Sequence, residues 1–356
     1  MVHRRRQAHL KLSSGPAATR GSLLRQVHGE EPGGRAIRVL SIDGGGARGL
    51  LPAIVLAEIE ARTGRPVSQL FDIVAGASTG SILGLGLAVP GDRPGSPRWR
   101  AADGVEIYKR HLPEVFEPHR GWQALAAGVS GLLREKYDEH PLEALLQHYL
   151  GDTRLSEALV NVVVPAYDLA GGDVLLFDSE RARADTSLDL PMRLVVRGAT
   201  AAPTYFEPAL IGPPDAVQEH LVVDGGIFAN NPGICGFMQA QRRHVGADVV
   251  MVSLGTGSAV RSLRQEEVRS WGLAHWARPL LNLVLASASQ ATDHHLRSLL
   301  GDQRYFRFEA DLDLYGCGHR LDDASEGNLA ALEKAGRALI TAKSAEIDRA
   351  CQLLVR

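Results

Sequence analysis

The sequence predicts an α/β protein in which a central, mostly parallel β-sheet is flanked by α-helices. Short β-branched runs alternate along the chain with segments whose apolar residues recur at helical spacing. The first two strands lead through glycine-rich turns directly into helices, a connection typical of parallel sheets covered on both faces. Of the 356 residues, 45% are hydrophobic and 22% are charged, a balance typical of a globular chain that buries a sizeable core.

The predicted elements begin at residue 37. The run IRVLSI predicts a buried strand at 37–42, and the spacing of Ile54, Leu56 and Ile59 predicts a helix at 51–62. A Pro- and Gly-rich loop is expected at 91–97. Further strands are predicted at 71–75, 161–167, 174–177, 221–223 and 248–254, and further helices at 81–89, 101–111, 141–149, 286–300 and 327–354.

Residues 1–36 differ in composition from the rest of the chain. They are rich in Arg, Ser, Gly and Ala, poor in acids, and lack the apolar segment of a secretory signal. We expect a basic, disordered tail followed by one domain at 37–356, although a transit peptide fits the same composition. The three cysteines suit neither a disulfide framework nor a metal site, so a cytoplasmic protein is expected; they are Cys235, Cys317 and Cys351.

Charge and hydropathy exclude two classes of function. The formal net charge is −2, so no global field attracts nucleic acid. No apolar run approaches the ~20 residues that a membrane-spanning helix needs. A contact with a membrane would therefore have to be peripheral.

The stretch GASTG places Ser78 between Gly76 and Gly80, after one predicted strand and before the next helix. In a G-x-S-x-G elbow the serine sits on a sharp, strained turn and the flanking glycines avoid clashes. The dipole of the following helix then favours negative charge at the serine. This pattern favours a nucleophile, and the alternative is a glycine-rich turn whose serine caps the helix.

The loop DGGGARG, which follows the first strand, is the candidate oxyanion hole. Gly44, Gly45 and Gly46 let backbone N–H groups point into one concavity, and Arg48 adds positive charge nearby. Gly44, Gly46 and Gly49 also satisfy the dinucleotide fingerprint G-x-G-x-x-G. That fingerprint expects an acidic residue about 20 positions on, at the end of the second strand. The second strand ends in the serine turn instead, and Asp72 lies at its start.

The base that would accept the Ser78 proton is less obvious from the residues. Serine hydrolases usually employ His with an acid behind it, and His319 follows Ser78 and Asp224 in a suitable chain order. Asp224, which ends an apolar strand and precedes two glycines, is the stronger candidate, although Asp-Gly-Gly is also an ordinary turn. A general esterase with a Ser-His-Asp triad therefore stays an alternative.

The blocks DGGGARG, GASTG and DGG, in this order, resemble the patatin-like phospholipase family. The segments RGATAAPTYF at 197–206 and VSLGTG at 252–257 also resemble it, so the likeness extends from about residue 37 to 258. The resemblance implies a three-layer α/β/α fold and a Ser78–Asp224 dyad in place of a triad. It further implies an oxyanion hole from the backbone of Gly44, Gly45 and Gly46, supported by Arg48.

The resemblance also implies hydrolysis of acyl esters in membrane phospholipids, independent of Ca²⁺ and without a metal or cofactor. The segment 270–285, with Trp271 and Trp276, is a candidate membrane contact, and its alternative is packing in the core or acyl channel. A regulated bacterial effector, opened by an activating ligand or partner, and a homodimer stay open. The segment from residue 259, where the resemblance fades, is where such regulation would lie.

Overall fold

The computed structural model describes residues 35–117, 136–212, 219–258, 269 and 272–356. Residues from Ala36 to Arg356 belong to one compact unit. The predicted basic tail lies outside the described residues except for its last two positions. Among the helices of the described residues, none is long and apolar enough to cross a membrane.

Eight strands and twelve α-helices are numbered here in chain order over the described residues. The strands are β1 Ile37–Ile42, β2 Ile73–Gly76, β3 Asn161–Asp168, β4 Asp173–Asp178, β5 Ala209–Ile211, β6 His220–Asp224, β7 Val249–Leu254 and β8 Tyr305–Phe308. The helices are α1 Leu50–Thr63, α2 Val67–Leu70, α3 Thr79–Gly86, α4 Ala101–Val115, α5 His140–Leu150, α6 Ser179–Ala184, α7 Met192–Ala199, α8 Gly226–Ala229, α9 Gly233–Arg243, α10 Leu273–Leu300, α11 Glu326–Ala342 and α12 Ser344–Val355. Short 3₁₀ helices lie at Gly46–Gly49, Leu155–Glu157, Thr186–Leu188 and Asp313–Tyr315.

One mixed sheet runs through the molecule in the order β5-β6-β3-β2-β1-β7-β8, with β4 paired to β3. Neighbours in the series β3-β2-β1-β7-β8 are parallel, and β4, β5 and β6 join through antiparallel pairs. The predicted fold class, a mostly parallel sheet flanked by helices, is confirmed. Parallel register brings Ser41 opposite both Ala75 and Ser253, so the carboxyl ends of three strands meet at one edge.

Both faces of the parallel part of the sheet are buried, which explains why its strands are predominantly apolar. Successive residues of a strand point to opposite faces. Leu40, Val74 and Val252 accordingly belong to one hydrophobic core. Their neighbours Val39, Ile73 and Met251 belong to the second core on the other face.

The structure differs from the sequence-based elements in the middle and last thirds of the chain, and helices α7 and α9 were not predicted. The helix predicted at 327–354 is two helices that meet at Lys343, whose backbone leaves the helical region with φ −107° and ψ 17°. Strand β8 was missed because its four residues, YFRF, carry an arginine inside an otherwise apolar run. Strand β5 was missed because three residues show no usable periodicity.

Candidate active site

Ser78 stands at the junction of β2 and α3 in a strained backbone conformation. Its φ of 50° and ψ of −123° lie where L side chains are rare. The glycines around it allow the turn to close, because a side chain at Gly76 would overlap the Gly80 carbonyl. A side chain at Gly80 would overlap the Ile42 carbonyl of the neighbouring strand. The turn therefore requires the small residues that the sequence places there.

Asp224 reaches Ser78 from the antiparallel strand β6. On the β3 side this strand pairs with Ala166–Asp168, the last three residues of β3, and therefore ends near the carboxyl edge of the parallel strands. The Asp224 carboxylate lies beside the Ser78 side chain in the cleft, and this proximity acts to lower the pKa of Asp224. The Oδ1 atom of Asp224 accepts the Gly226 N–H at 2.7 Å. The sequence predicted Asp224 at this edge because functional residues often follow parallel strands. In the structure Asp224 lies at this edge, but the strand that it ends is antiparallel to β3.

Burial raises the pKa of Asp224 from its ordinary 3.8 to about 6, although the nearby Ser78 side chain and the hydrogen bond from the Gly226 N–H act to lower it. Only 5% of the residue is exposed. Burial disfavours the charged form of a carboxyl group, and this makes the carboxylate a stronger base. At neutral pH the group is mostly ionised and can accept a proton.

The glycine loop faces the same site, but its three amides are not equivalent. The Gly44 N–H donates to the Asn230 carbonyl at 2.9 Å and is already engaged. Gly45 and Gly46 line the cleft together with Ser78 and Asp224. Within the described parts of the chain, the N–H groups of Gly45 and Gly46 donate to no backbone carbonyl, so both can serve a ligand.

Gly46 has a positive φ of 58°, and a side chain there would overlap the Leu321 carbonyl. The loop thus requires glycine for conformation and for space. Arg48 donates its Nε–H to the Gly45 carbonyl at 3.4 Å. Burial lowers the pKa of Arg48 to about 10, and nearby carboxylates and Tyr205 act to raise it, so the side chain stays cationic at neutral pH.

A buried ion pair anchors the start of this loop. The Asp43 carboxylate accepts hydrogen bonds from both terminal nitrogens of Arg307, at 2.9 and 2.7 Å, and from the Ser289 hydroxyl at 2.7 Å. Burial acts to lower the pKa of Arg307, but the Asp43 and Glu309 carboxylates outweigh it and raise that pKa well above the ordinary arginine value. Arg307 also donates to the Ser253 hydroxyl at 2.8 Å. The pair therefore joins β1, β7 and β8 directly behind the glycine loop.

Sequence reasoning missed Arg307, which lies in the last third of the chain. The signal that could have found it is a single arginine at a position of β8 flanked by Phe306 and Phe308. A charge inside an apolar strand is costly unless it has a partner. A buried partner should therefore have been sought, and Asp43 is that partner.

The histidine alternative gains no geometric support. His319 contacts Asp313 at 2.8 Å and is partly exposed. His294 and His295 are exposed on α10. Among the described residues, no histidine lines the cleft that contains Ser78. A triad would need one within hydrogen-bond reach of the serine.

The dinucleotide alternative likewise lacks its acidic residue at the end of β2. Asp72 lies at the other end of that strand, where its carboxylate accepts the backbone N–H of Arg38 at 2.9 Å. The Arg38 side chain donates to the same carboxylate at 3.2 Å. Asp72 therefore cannot approach a ribose held at the glycine loop.

One group of potential metal ligands occurs among the described residues, namely Asp138, Glu139 and His140, whose ligand atoms lie within 4.8 Å of one another. His140 is exposed and the two acids are half-buried. None of the three lines the cleft. Acidic surface groups of this kind are common without a metal, so we assign this one no function.

The cleft around Ser78 has predominantly apolar walls. Its empty space, including the open mouth, is about 820 Å³. The polar groups Ser78, Asp224 and the glycine loop lie together at one part of an otherwise apolar surface. The apolar walls come mainly from Ile82, Leu112, Val115, Phe116, Leu142, Leu145, Phe206, Ile227, Leu285 and Leu321. Such a site suits a ligand with one ester and a long hydrocarbon part.

Comparison with known protein families supplies an independent observation. The family model described as patatin-like phospholipase matches residues 40–232, a span that contains the glycine loop, Ser78 and Asp224. The chain belongs to the patatin-like phospholipase family. It is therefore a member of the lipid acyl hydrolase superfamily.

Patatin-like proteins of plants align with most of this patatin-like chain. "Patatin-like protein 1" of Arabidopsis thaliana is 31% identical over 343 residues, which cover 86% of this chain and 82% of that protein. "Patatin-like protein 4" of the same plant is 29% identical, with 86% and 84% coverage. The solved structure of VipD from Legionella pneumophila matches at 14% identity and a TM-score of 0.35, over 86% of this chain and 67% of that one, which is too low to carry an argument.

Proposed function

We propose that this protein is a Ca²⁺-independent phospholipase A that releases fatty acids through a Ser78–Asp224 dyad. The observation that carries the proposal is that the Ser78 side chain and the buried Asp224 carboxylate face one apolar cleft, close enough for Ser78 to act on the pKa of Asp224. A serine becomes nucleophilic when an adjacent base takes its proton. The raised pKa of Asp224 brings this base closer to neutral pH, where general bases are most effective.

In the acylation step, Asp224 takes the proton of Ser78 while the serine oxygen attacks the ester carbonyl. The amides of Gly45 and Gly46 donate to the oxyanion, and each such donor is worth about 10²–10³ in rate. The tetrahedral intermediate collapses, the C–O bond to the alcohol breaks, and Asp224 returns the proton to the departing lysolipid. Water deprotonated by Asp224 then attacks the acyl-enzyme and releases the fatty acid, and Ser78 regains its proton.

The loop that supplies the oxyanion donors is held in place before substrate arrives. Asp43 and Arg307 fix its beginning, and the Thr256 hydroxyl donates to the Gly44 carbonyl at 2.7 Å. Ala47 donates its N–H to the Leu321 carbonyl at 2.7 Å on the far side. Donors fixed in advance need no reorganisation during the reaction, which is the main source of their effect.

The lipid substrate requires contact with a membrane surface, for which α10 offers a candidate. Leu280, Leu283 and Val284 are exposed at positions that share one face of the helix, and adjacent Leu285 lines the cleft. Trp276 of the same helix is half-buried and has an interaction partner, whereas Trp271 lies outside the described residues. Leu280, Leu283 and Val284 are therefore the proposed contact, here called the α10 face, and the prediction for Trp271 stays untested. A homodimer and an activating ligand stay predictions.

We expect the Leu280→Asp/Leu283→Asp variant to lower the ratio of vesicle hydrolysis to monomeric ester hydrolysis at least about tenfold, because loss of even one leucine burial costs about 1.5–3 kcal/mol and about 1.4 kcal/mol is a factor of ten. The measurement compares phosphatidylcholine vesicles with a soluble p-nitrophenyl ester. Leu299→Asp is the matched control, since Leu299 is 60% exposed near the other end of the same helix. An unchanged ratio in the double variant would exclude the α10 face.

Purified full-length protein is expected to release free fatty acid from phosphatidylcholine vesicles at the same rate with Ca²⁺ and with excess EDTA. The proposed chemistry uses only side chains and amides, so removal of divalent cations should leave the rate unchanged. Fatty acid would be quantified by mass spectrometry over a panel of phospholipid and lysophospholipid substrates. Absence of release from every lipid, or release only with Ca²⁺, would contradict the proposal.

A further inference from the structure

A second apolar cavity adjoins the cleft and shares two of its walls, Ile82 and Leu145. Its empty space is about 480 Å³. Helices α3, α4 and α5 supply almost all of its lining. Nothing in the hydrolytic chemistry requires this space, because Ser78, Asp224 and the glycine loop all lie in the first cleft.

The two cavities follow one face of α3. Ser78 caps this helix, and Ile82 and Gly86 are four and eight residues further on, so the three positions lie above one another. Eight residues of helix span about 12 Å. Ile82 and Gly86 are partly accessible, whereas Leu83 and Leu85 between them are buried.

Helices α4 and α5, which face α3 across the cavities, also contribute lining residues to both of them. On α5, Leu142 and Leu145 line the first cleft, and Leu146 and Tyr149 line the second cavity. On α4, Leu112 and Val115 line the first cleft, while Gly104, Ile107 and Tyr108 line the second. The two cavities thus lie next to each other between the same three helices, with Ile82 and Leu145 at their shared boundary, and we call them together the seam.

The far part of the seam is bounded by aromatic and paired groups. The Trp99 indole donates to the Tyr149 carbonyl at 3.0 Å, and the two rings pack edge to face with centroids 5.2 Å apart. Arg100, which also lines the cavity, donates to the Glu60 carboxylate at 3.1 Å. The charge of Arg100 is therefore balanced, and the remaining lining suits hydrocarbon.

We propose that this seam receives the distal part of the scissile acyl chain and makes the enzyme selective for long, unbranched acyl groups. The inference rests on the proposed function and assigns the second cavity as a binding site for the terminal methylenes. A short acyl group would fill only the cleft near Ser78, whereas a long one would pass between Ile82 and Leu145 and bury its end beside Gly86.

Gly86→Leu tests the seam from α3. A Cβ built at Gly86 meets nothing within 4 Å, and its φ is not positive, so the helix can accept a side chain that fills the cavity. The readout is the ratio of kcat/KM for p-nitrophenyl palmitate to that for p-nitrophenyl butyrate. We expect this ratio to fall at least about tenfold, the effect of losing the burial of two methylene groups.

Two further variants make the result specific. Gly327→Leu adds the same side chain at an exposed glycine of α11 that also has nothing within 4 Å, and it should keep the wild-type ratio. Ile107→Trp fills the cavity from α4 and should lower the ratio as Gly86→Leu does. If Gly86→Leu fails to fold, Ile107→Trp still tests whether the second cavity binds the acyl chain.

The outcomes separate the two proposals. Wild-type enzyme that hydrolyses neither ester would contradict the proposed function and with it the seam. Wild-type activity on both esters, with the palmitate to butyrate ratio unchanged in folded Gly86→Leu and Ile107→Trp, would overturn the seam and leave the dyad intact. A lowered ratio in both variants and not in Gly327→Leu would support it.

Discussion

Ser78→Ala is expected to reduce the rate of acyl release by at least ~10⁴-fold, because it removes the one atom that would form the acyl-enzyme. The cleft, the glycine loop and Asp224 all remain in this variant. Residual turnover would then come from binding and the oxyanion donors alone. The measurement is single-turnover release of fatty acid, accompanied by intact-mass detection of a fluorophosphonate adduct.

The wild-type protein should gain one adduct at Ser78, and the Ser78→Ala variant should gain none. Ser298→Ala is the matched control, because this exposed serine of α10 donates only to the His294 carbonyl within its own helix. It should retain both labelling and turnover. Full acyl release by folded Ser78→Ala would end the nucleophile assignment.

Asp224→Asn is expected to lower kcat/KM by about 10²–10⁴-fold, the usual contribution of a positioned general base. Asn preserves the size of the side chain and can still accept the Gly226 N–H, but it cannot take a proton. Wild-type activity should fall as pH drops through about 6, where burial places the pKa of Asp224 and its carboxylate becomes protonated. The residual activity of the variant should not show this titration.

The raised pKa also predicts the sign of the stability change. In the folded protein the Asp224 carboxyl group keeps its proton up to about pH 6, whereas in the unfolded chain its pKa has the ordinary value of 3.8. The stabilising contribution of protonated Asp224 is therefore present in full below pH 3.8 and is lost as the pH rises through about 6. Above that pH the buried anion costs on the order of 3 kcal/mol, from about two units at 1.36 kcal/mol each.

Asp224→Asn should therefore melt at a higher temperature than wild type at pH 8 and much closer to it at pH 4. Differential scanning calorimetry at both pH values measures this difference. A variant that is inactive because it is unfolded would instead melt lower at pH 8. Inactivity combined with a raised melting temperature distinguishes a catalytic carboxylate from a structural one.

Much of the sheet was predictable because local pattern and tertiary environment agree there. The strand predicted at 37–42 is confirmed at both ends, since a β-branched run bounded by glycines has few alternatives. The strands predicted at 161–167 and 174–177 are confirmed as β3 and β4, which pair antiparallel. Helix α10 extends further toward the N-terminus than the predicted 286–300.

The hydrogen-bond and ion-pair partners of the glycine loop were less predictable. The engagement of the Gly44 amide by Asn230 depends on a loop 186 residues further along the chain, and no local pattern encodes it. The Asp43–Arg307 pair joins residues separated by 264 positions. Contacts of this kind follow from strand order, which arises only when the sheet assembles.

By itself, the sequence determined the fold class, the family and the residues that could act at the site, because glycines, a serine elbow and an acid after a strand are local patterns. The tertiary structure alone decided that Asp224 arrives on an antiparallel strand and that burial raises its pKa. It also decided which loop amides are engaged, and that two apolar cavities lie next to each other between the same three helices. The physical reason is that burial, hydrogen-bond competition and cavity shape depend on groups distant in sequence, which only packing brings together.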